Sequence, residues 1–108
     1  MAIPQPKTPV RGSRSGVAVM ALFDLLGRKW NMRILWELRA QALSFRAIQA
    51  HCDDMSPSVL NSRLKQLAES KLLVSTESGY TLTPLGASLM STLDPLRDWS
   101  RTWEEALL

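Results

Sequence analysis

Residues 44–70 read SFRAIQAHCDDMSPSVLNSRLKQLAES, and this stretch decides the fold. Ser44 is a good N-cap for a short helix over Phe45–Cys52, because its hydroxyl can accept a hydrogen bond from a free backbone N–H of the first turn. Ser56 precedes a second helix over Pro57–Ser70, and a proline at the first helical position costs nothing, since the N–H there has no partner within the helix. The stretch therefore predicts two short helices joined by a tight turn.

The second of these helices has an apolar face and a polar face. At 100° per residue, the residues within about 40° of Leu60 around the axis are Leu64, Leu67 and Lys71, with Ala68 at the edge of the stripe. The opposite face comprises Ser58, Asn61, Ser62, Lys65 and Glu69. Such hydrogen-bonding side chains suit the major groove of DNA, where each base pair presents a distinct pattern of donors and acceptors. In isolation such side chains are more typical of a solvated helix face. The surrounding elements must therefore distinguish a solvated face from one that contacts DNA.

Two more helices precede the pair. Apolar residues at three-residue spacing predict a helix over Val17–Leu26, and Gly27 marks its end. A further helix is predicted over Trp30–Ala40, because its central isoleucine and leucines share one face.

A hairpin and a long helical stretch follow the pair. Leu72–Thr76 and Tyr80–Thr83 are rich enough in apolar and β-branched residues to form two short strands. A last helical stretch runs from Pro84 to near Leu107. Pro95 is expected to bend or restart it, with Asp94 as the new cap.

Together these elements predict a mainly α fold, the winged helix-turn-helix, in which the short two-stranded β-hairpin is the wing. Phe45–Cys52 is then the supporting helix and Pro57–Ser70 the recognition helix. In this arrangement, contact with DNA becomes the better explanation of the polar helix face.

The charge of the chain is unevenly distributed. Its 108 residues fit one domain, and thirteen basic against ten acidic residues give a net charge of +3. Residues 1–71 hold eleven basic and five acidic residues, which gives +6, whereas residues 72–108 hold two and five, which gives −3. A basic front and an acidic back predict a polyanionic partner for one side of the molecule only.

Composition excludes several classes of protein. One cysteine, Cys52, and one histidine, His51, leave no internal disulfide and no cysteine-rich zinc site, and no catalytic motif occurs, so we expect no enzyme, metal or cofactor. The longest apolar run, Val17–Phe23, is far shorter than the ~20 residues that span a bilayer, so we expect a cytoplasmic protein without membrane contact. Cys52 is expected to be a buried small hydrophobic residue.

Residues 1–16 are predicted to form a flexible basic tail in front of a single domain over residues 17–108. The tail is rich in proline and glycine and carries few large apolar side chains, so it cannot bury enough surface to offset its ordering entropy. The alternative is a basic arm that reaches into a minor groove.

Several residues outside the recognition face are candidates for phosphate contact. Basic and polar side chains and capped helix N-termini favour anions and position a protein on DNA without reading its sequence. The candidates are Arg28, Lys29, Ser44, Arg46, Gln49 and Ser56. Arg63 lies beside the apolar stripe, and a backbone carbonyl, Glu37 or Asp53 is as good a partner for it as DNA.

The last helical stretch is predicted to form an isologous dimer contact, shared with Val19 and Phe23 of the first helix. Large apolar side chains recur along it at steps of three and four residues: Leu89, Leu93, Leu96, Trp99, Trp103 and Leu107. For Leu89 and Leu93, packing within the same chain is an equally good alternative.

Several stretches also resemble a known family, in order and nearly without gaps over about residues 17–103. LFDLLGRKW at 22–30 is similar to the ALDLLGGKW opening of HxlR-type winged-helix transcriptional regulators. Further matches pair SFRAI at 44–48 with RFSEL, MSPSVLNSRLKQL at 55–67 with ISPKVLTQRLREL, YTLTPLG at 80–86 with YSLTELG, and LDPLRDW at 93–99 with LDALREW. The resemblance implies a homodimeric bacterial or archaeal DNA-binding regulator, with Ser58, Asn61, Ser62 and Lys65 at the groove.

The chain departs from the family pattern in three places. Ser58 stands where the family often has a basic residue. The hairpin tip, Glu77-Ser78-Gly79, is short and acidic, which argues against a wing in the minor groove. Val17 or a neighbour stands where oxidant-sensing members carry a cysteine, which argues against redox sensing by that route.

The sequence therefore predicts a homodimeric regulator that binds double-stranded DNA at a pseudo-palindromic operator. The alternative is a winged-helix module for protein–protein assembly without specific DNA binding. No small-molecule effector is identified by the sequence.

Overall fold

The computed structural model describes residues 3–108 and confirms the mainly α winged helix-turn-helix. The helices are α1 (Ala18–Leu26), α2 (Asn31–Leu38), α3 (Phe45–His51), α4 (Pro57–Glu69), α5 (Pro84–Thr92) and α6 (Asp94–Leu107). Strands β1 (Leu73–Thr76) and β2 (Gly79–Leu82) lie between α4 and α5 and pair antiparallel.

The two serine caps form as the sequence predicts. The Ser44 hydroxyl accepts a hydrogen bond from the Ala47 backbone N–H at 3.1 Å, at the start of α3. The Ser56 hydroxyl accepts one from Val59 at 3.5 Å, and Pro57 opens α4. These caps fix where the supporting and recognition helices begin.

The hairpin is tied to the loop before α3 by a contact that the sequence did not predict. Leu43 donates its N–H to the Tyr80 carbonyl at 3.0 Å and accepts the Tyr80 N–H at 2.8 Å, so it adds a short third segment to the sheet. Gly79 makes this approach possible: its φ is +109°, and a Cβ there would lie 2.6 Å from the Leu43 carbonyl oxygen. The wing is therefore fixed to the helix-turn-helix on its inner side.

The core lies where α2, α3 and α4 meet. Its fully buried apolar side chains are Ile34, Leu35, Ile48, Cys52, Leu60 and Leu67. Leu89 and Leu93 are half-buried and pack against this core, which favours the intramolecular alternative for these two residues.

Three details of the predicted helices are wrong. Lys71 does not belong to the apolar stripe of α4, because the helix ends at Glu69 and Lys71 follows it, exposed, with a left-handed φ of 65°. Asp94 does not cap α6: it is the first residue of that helix, Leu93 occupies the cap position, and no side chain caps it. Trp30 lies outside α2, in the left-handed region with φ 78°, which is unusual for a bulky side chain.

The segment before α1 makes specific contacts, although its predicted flexibility stays a prediction. The guanidinium of Arg11 lies 2.9 Å from the buried Asp24 carboxylate in α1, and it also donates to the Asp24 carbonyl at 3.3 Å. The Lys7 N–H bonds to the Gly16 carbonyl at 2.7 Å, which folds the segment back on itself. Residues 1 and 2 of the predicted tail lie outside the described residues.

Cys52 is buried, as predicted, and burial raises the pKa of its thiol. We expect it to react with a disulfide reagent at least about 10³-fold more slowly in the native protein than in urea, because the reaction needs the domain to open. Following the reaction by absorbance measures both rates. A Ser88→Cys variant supplies an exposed thiol as control, and fast native reaction of Cys52 itself would contradict the burial.

Candidate nucleic-acid interface

The polar face of α4 is available to a partner along most of its length. Ser58, Asn61 and Lys65 are exposed, and Ser62 is half-buried. Leu60, Leu64 and Leu67 are buried on the other side of the helix. The four polar residues, with Gln66 and Glu69, line a shallow cavity of about 270 Å³. The structure thus brings the predicted base-reading residues together on one surface.

Gln66 is a residue of α4 that the sequence pattern assigned to neither face. It is buried, with 3% of its surface exposed. Its backbone carbonyl accepts the Ser70 hydroxyl at 2.7 Å, so this region closes the last turn of the helix. A polar glutamine side chain gives no sequence signal of burial.

The N-terminus of α4 is organised by its serines. The hydroxyls of Ser56 and Ser58 lie 3.0 Å apart, and Ser56 also caps the helix. Free N–H groups and the helix dipole make this end of a helix favourable for a phosphate. Ser56 contributes by fixing these groups in position.

On α3, the two predicted phosphate contacts differ in their surroundings. Arg46 is exposed, and within residues 3–108 no carboxylate lies in ion-pair distance of it. Gln49 is half-buried, and its side-chain N–H donates to the Met55 carbonyl at 2.8 Å, across the turn between α3 and α4. Arg46 is therefore available to a ligand, whereas Gln49 holds the turn.

The loop between α1 and α2 presents Lys29 rather than Arg28. Lys29 is exposed, with its ammonium 5.5 Å from the ring centre of Trp30. Arg28 is mostly buried and lies 3.8 Å from Asp24. The Arg63 guanidinium donates to the Lys29 carbonyl at 2.8 Å, so Arg63 has the backbone partner that the sequence left as one alternative, and it ties this loop to α4.

A small charged network orients the supporting helix. Arg33 and Glu37 of α2 form an ion pair at 2.8 Å, and the second Glu37 oxygen lies 3.1 Å from Nδ1 of His51 in α3. Arg33 also donates to the His51 carbonyl at 2.7 Å. The hydrogen bonds from Arg33 and His51 lower the pKa of Glu37, since both favour its charged form. The sequence did not predict this bridge between α2 and α3.

A second, apolar surface lies on α6. Leu96, Trp99, Trp103 and Leu107 fall within about 80° around the helix, and each is between 54% and 67% exposed. On α1, Val19 and Phe23 are also exposed. We call these six residues the apolar surface. Large aromatic side chains this exposed are typical of interfaces.

Other kinds of site find no support in the described part of the chain. Residues 3–108 contain no group of three His, Cys, Asp or Glu side chains that could hold a metal ion. In the same range, each helix is too short or too polar to cross a membrane. The Glu77 tip of the wing is exposed and short.

Two comparisons with known proteins both match this chain to helix-turn-helix proteins. The model of the HxlR-like helix-turn-helix family matches residues 25–107, a range that includes α2 to α6. An uncharacterized HTH-type transcriptional regulator of Methanocaldococcus jannaschii is 29% identical over 91 residues, which cover 81% of this chain and 86% of that protein.

Solved structures agree with the fold. Quinone-bound YodB from B. subtilis is 27% identical with a TM-score of 0.71, covering 78% of this chain and 94% of YodB. A protein from Thermoplasma volcanium, described as a transcriptional factor of the HxlR family, is 26% identical with a TM-score of 0.67, covering 78% and 82%. A regulator of the MarR family from Enterococcus faecalis shares the fold at 22% identity, with a TM-score of 0.73 and coverage of 92% and 98%.

Proposed function

This chain belongs to the family of HxlR-like helix-turn-helix transcriptional regulators, and from that premise we propose that it binds a pseudo-palindromic DNA operator as a homodimer. In this proposal α4 enters the major groove, where Ser58, Asn61 and Ser62 contact base edges and the Lys65 ammonium contacts a phosphate beside the groove. The observation that carries the proposal is the exposure of Ser58, Asn61 and Lys65 on a helix whose opposite face is buried in the core.

Phosphate contacts would hold the helix in the groove. Arg46 and Lys29 are exposed on the elements before α4, and the N-terminus of α4 presents free N–H groups. Such contacts set affinity and orientation, whereas Ser58, Asn61 and Ser62 of α4 set sequence preference. Ser56 and Gln49 would act by fixing the cap and the turn, not by direct contact.

The dimer would form through the apolar surface. Four of its six residues lie on one face of α6, which has no buried residue of its own. Leu89 and Leu93 would support that face from the core side. The acidic residues of α6, among them Asp98 and Glu104, would keep this side of the molecule away from DNA.

We test the proposal by selecting bound fragments from the host genome and mapping them by footprinting. A two-fold symmetric dimer is expected to protect two half-sites about one helical turn apart, 10–10.5 base pairs from centre to centre, or a multiple of that spacing. A footprint over a single asymmetric half-site would contradict the dimer, and no enriched fragment would contradict specific binding.

Asn61→Ala and Lys65→Ala are expected to act differently on DNA. Asn61→Ala should lose about 1–3 kcal/mol of discrimination at one base pair, because an asparagine that makes a paired contact with adenine distinguishes it from other bases. Lys65→Ala should weaken binding to all sequences nearly uniformly, because it removes a phosphate contact and not a base contact. Fluorescence anisotropy with the selected operator and single-base variants measures both. Arg101→Ala removes the same charge from α6 and serves as control, and unchanged binding in both α4 variants would remove α4 from the groove.

A further inference from the structure

A cavity of about 370 Å³ lies on the opposite end of α4 from its serine caps. Its walls come from the segment before α1, from α1 itself and from the end of α4 and the residues after it. The lining residues are Ile3, Pro4, Gln5, Pro6, Ala18, Ala21, Leu22, Leu25, Glu69, Ser70, Lys71 and Leu72. The volume is within the range of small-molecule sites, about 300–1,000 Å³.

The lining has the composition of a ligand site. Eight of the twelve lining residues are apolar, and the polar ones are Gln5 in the segment before α1 and Glu69, Ser70 and Lys71 at and after the end of α4. Ser70 is engaged, since its hydroxyl donates to the Gln66 carbonyl at 2.7 Å. Lys71 is exposed, and among residues 3–108 no carboxylate lies within 4.0 Å of its ammonium. The site thus offers an apolar body with one cation, Lys71, and one carboxylate, Glu69, which do not form an ion pair with each other.

The outer wall of the cavity is the beginning of a segment that contacts α1 further along the chain. Pro4 and Pro6 restrict the backbone of the wall. Beyond them, the Lys7–Gly16 hydrogen bond and the three contacts of Arg11 with Asp24 fasten the segment to α1. A wall that is already positioned lowers the entropy cost of enclosing a ligand.

We propose that this cavity binds a small apolar carboxylate, such as an aromatic or short acyl acid, whose carboxylate pairs with Lys71. Lys71 favours an anion because its ammonium has no carboxylate partner among residues 3–108, and Lys7 directly follows the wall residue Pro6 in sequence, whereas Arg11 and Asp24 neutralise each other. Glu69 is the acidic residue of the lining, and its carboxylate would repel the carboxylate of the ligand from the α4 side.

Glu69 connects the cavity to the polar face of α4, which is proposed to contact DNA. It lines both this cavity and the shallow one along the polar face of α4. An anion at Lys71 would repel the Glu69 carboxylate toward the DNA side, where it would oppose the phosphates. The ligand would therefore weaken DNA binding, and this effect, unlike the site itself, rests on the proposed function.

The test uses naphthoate as the probe and the full chain in solution. Amide NMR titration is expected to show saturable shifts in α1 and at Leu72. Ala18→Leu, at an exposed position on the cavity wall, should abolish them by filling the space without disturbing the core, whereas Ala50→Leu on exposed α3 should not. Lys71→Gln should weaken naphthoate about tenfold but leave its neutral carboxamide unaffected, because only the charged group gains from the ammonium.

Saturating naphthoate should also weaken operator binding about fivefold or more in the wild type and in Ala50→Leu, but not in Ala18→Leu. Shifts that do not saturate, or that persist in Ala18→Leu, would overturn the site, and unchanged operator affinity would overturn the connection through Glu69. A chain that binds no DNA fragment would refute the proposed function, while the naphthoate titration would still decide on the site.

Discussion

Replacing Gly86 with alanine is expected to destabilise the domain by about 2–3 kcal/mol. Gly86 lies in α5, where the helix passes directly over Leu72, and a Cβ there would clash with the Leu72 carbonyl oxygen. This oxygen is part of the backbone and also accepts the Thr83 N–H at 3.1 Å, so it cannot move independently. The gain in helix propensity from glycine to alanine, at most about 1 kcal/mol, is too small to compensate.

Urea unfolding measures this loss as a lower transition midpoint at unchanged slope. Ser88→Ala is the matched control, since Ser88 is exposed on the same helix and its replacement should change stability by no more than about 0.5 kcal/mol. Equal stability of Gly86→Ala and the wild type would contradict the close approach of α5 to Leu72.

Removing both tryptophans of the apolar surface is expected to dissociate the proposed homodimer. Trp99 and Trp103 are 58% and 55% exposed in the single chain, so their replacement by alanine removes little packing within it. At an interface each would cost about 2 kcal/mol or more, which corresponds to roughly 30-fold in the dissociation constant per residue. Sedimentation velocity over a concentration series measures the change.

The same double variant should lose operator affinity by about 10²-fold or more, because a single recognition helix replaces two linked ones. Its circular dichroism should remain that of a folded chain. Arg101→Ala, on the opposite face of α6, should remain dimeric. A double variant that stays dimeric would place the interface elsewhere.

The helix-turn-helix could be predicted from sequence because its signals are local. Ser44, Ser56 and Pro57 fix the helix starts through hydrogen bonds within one turn, and the structure places both helix starts there. The end of α4 depends instead on contacts distant in sequence. The Thr83 hydroxyl bonds to the Lys71 carbonyl at 2.6 Å, and Lys71 adopts a left-handed backbone that helical periodicity does not reveal.

The candidate interface was predictable to the same degree. The polar face of α4 follows from the 100° step, and the structure exposes it. The hydrogen-bond partners of individual polar side chains do not follow from the helical periodicity. Gln49 and Arg63 both bond to backbone carbonyls, one across a turn and one across 34 residues of sequence, and only the folded chain brings those carbonyls within reach.

The most direct test of DNA binding through α4 is the salt dependence of operator affinity for the wild type and Lys65→Ala. Since phosphate contacts release counterions, the logarithm of the association constant should fall linearly with the logarithm of the salt concentration. The slope should be smaller in magnitude by about 1 for Lys65→Ala, if Lys65 contacts a phosphate. A slope near zero, or no binding to any genomic fragment, would contradict the account and favour a protein–protein assembly module.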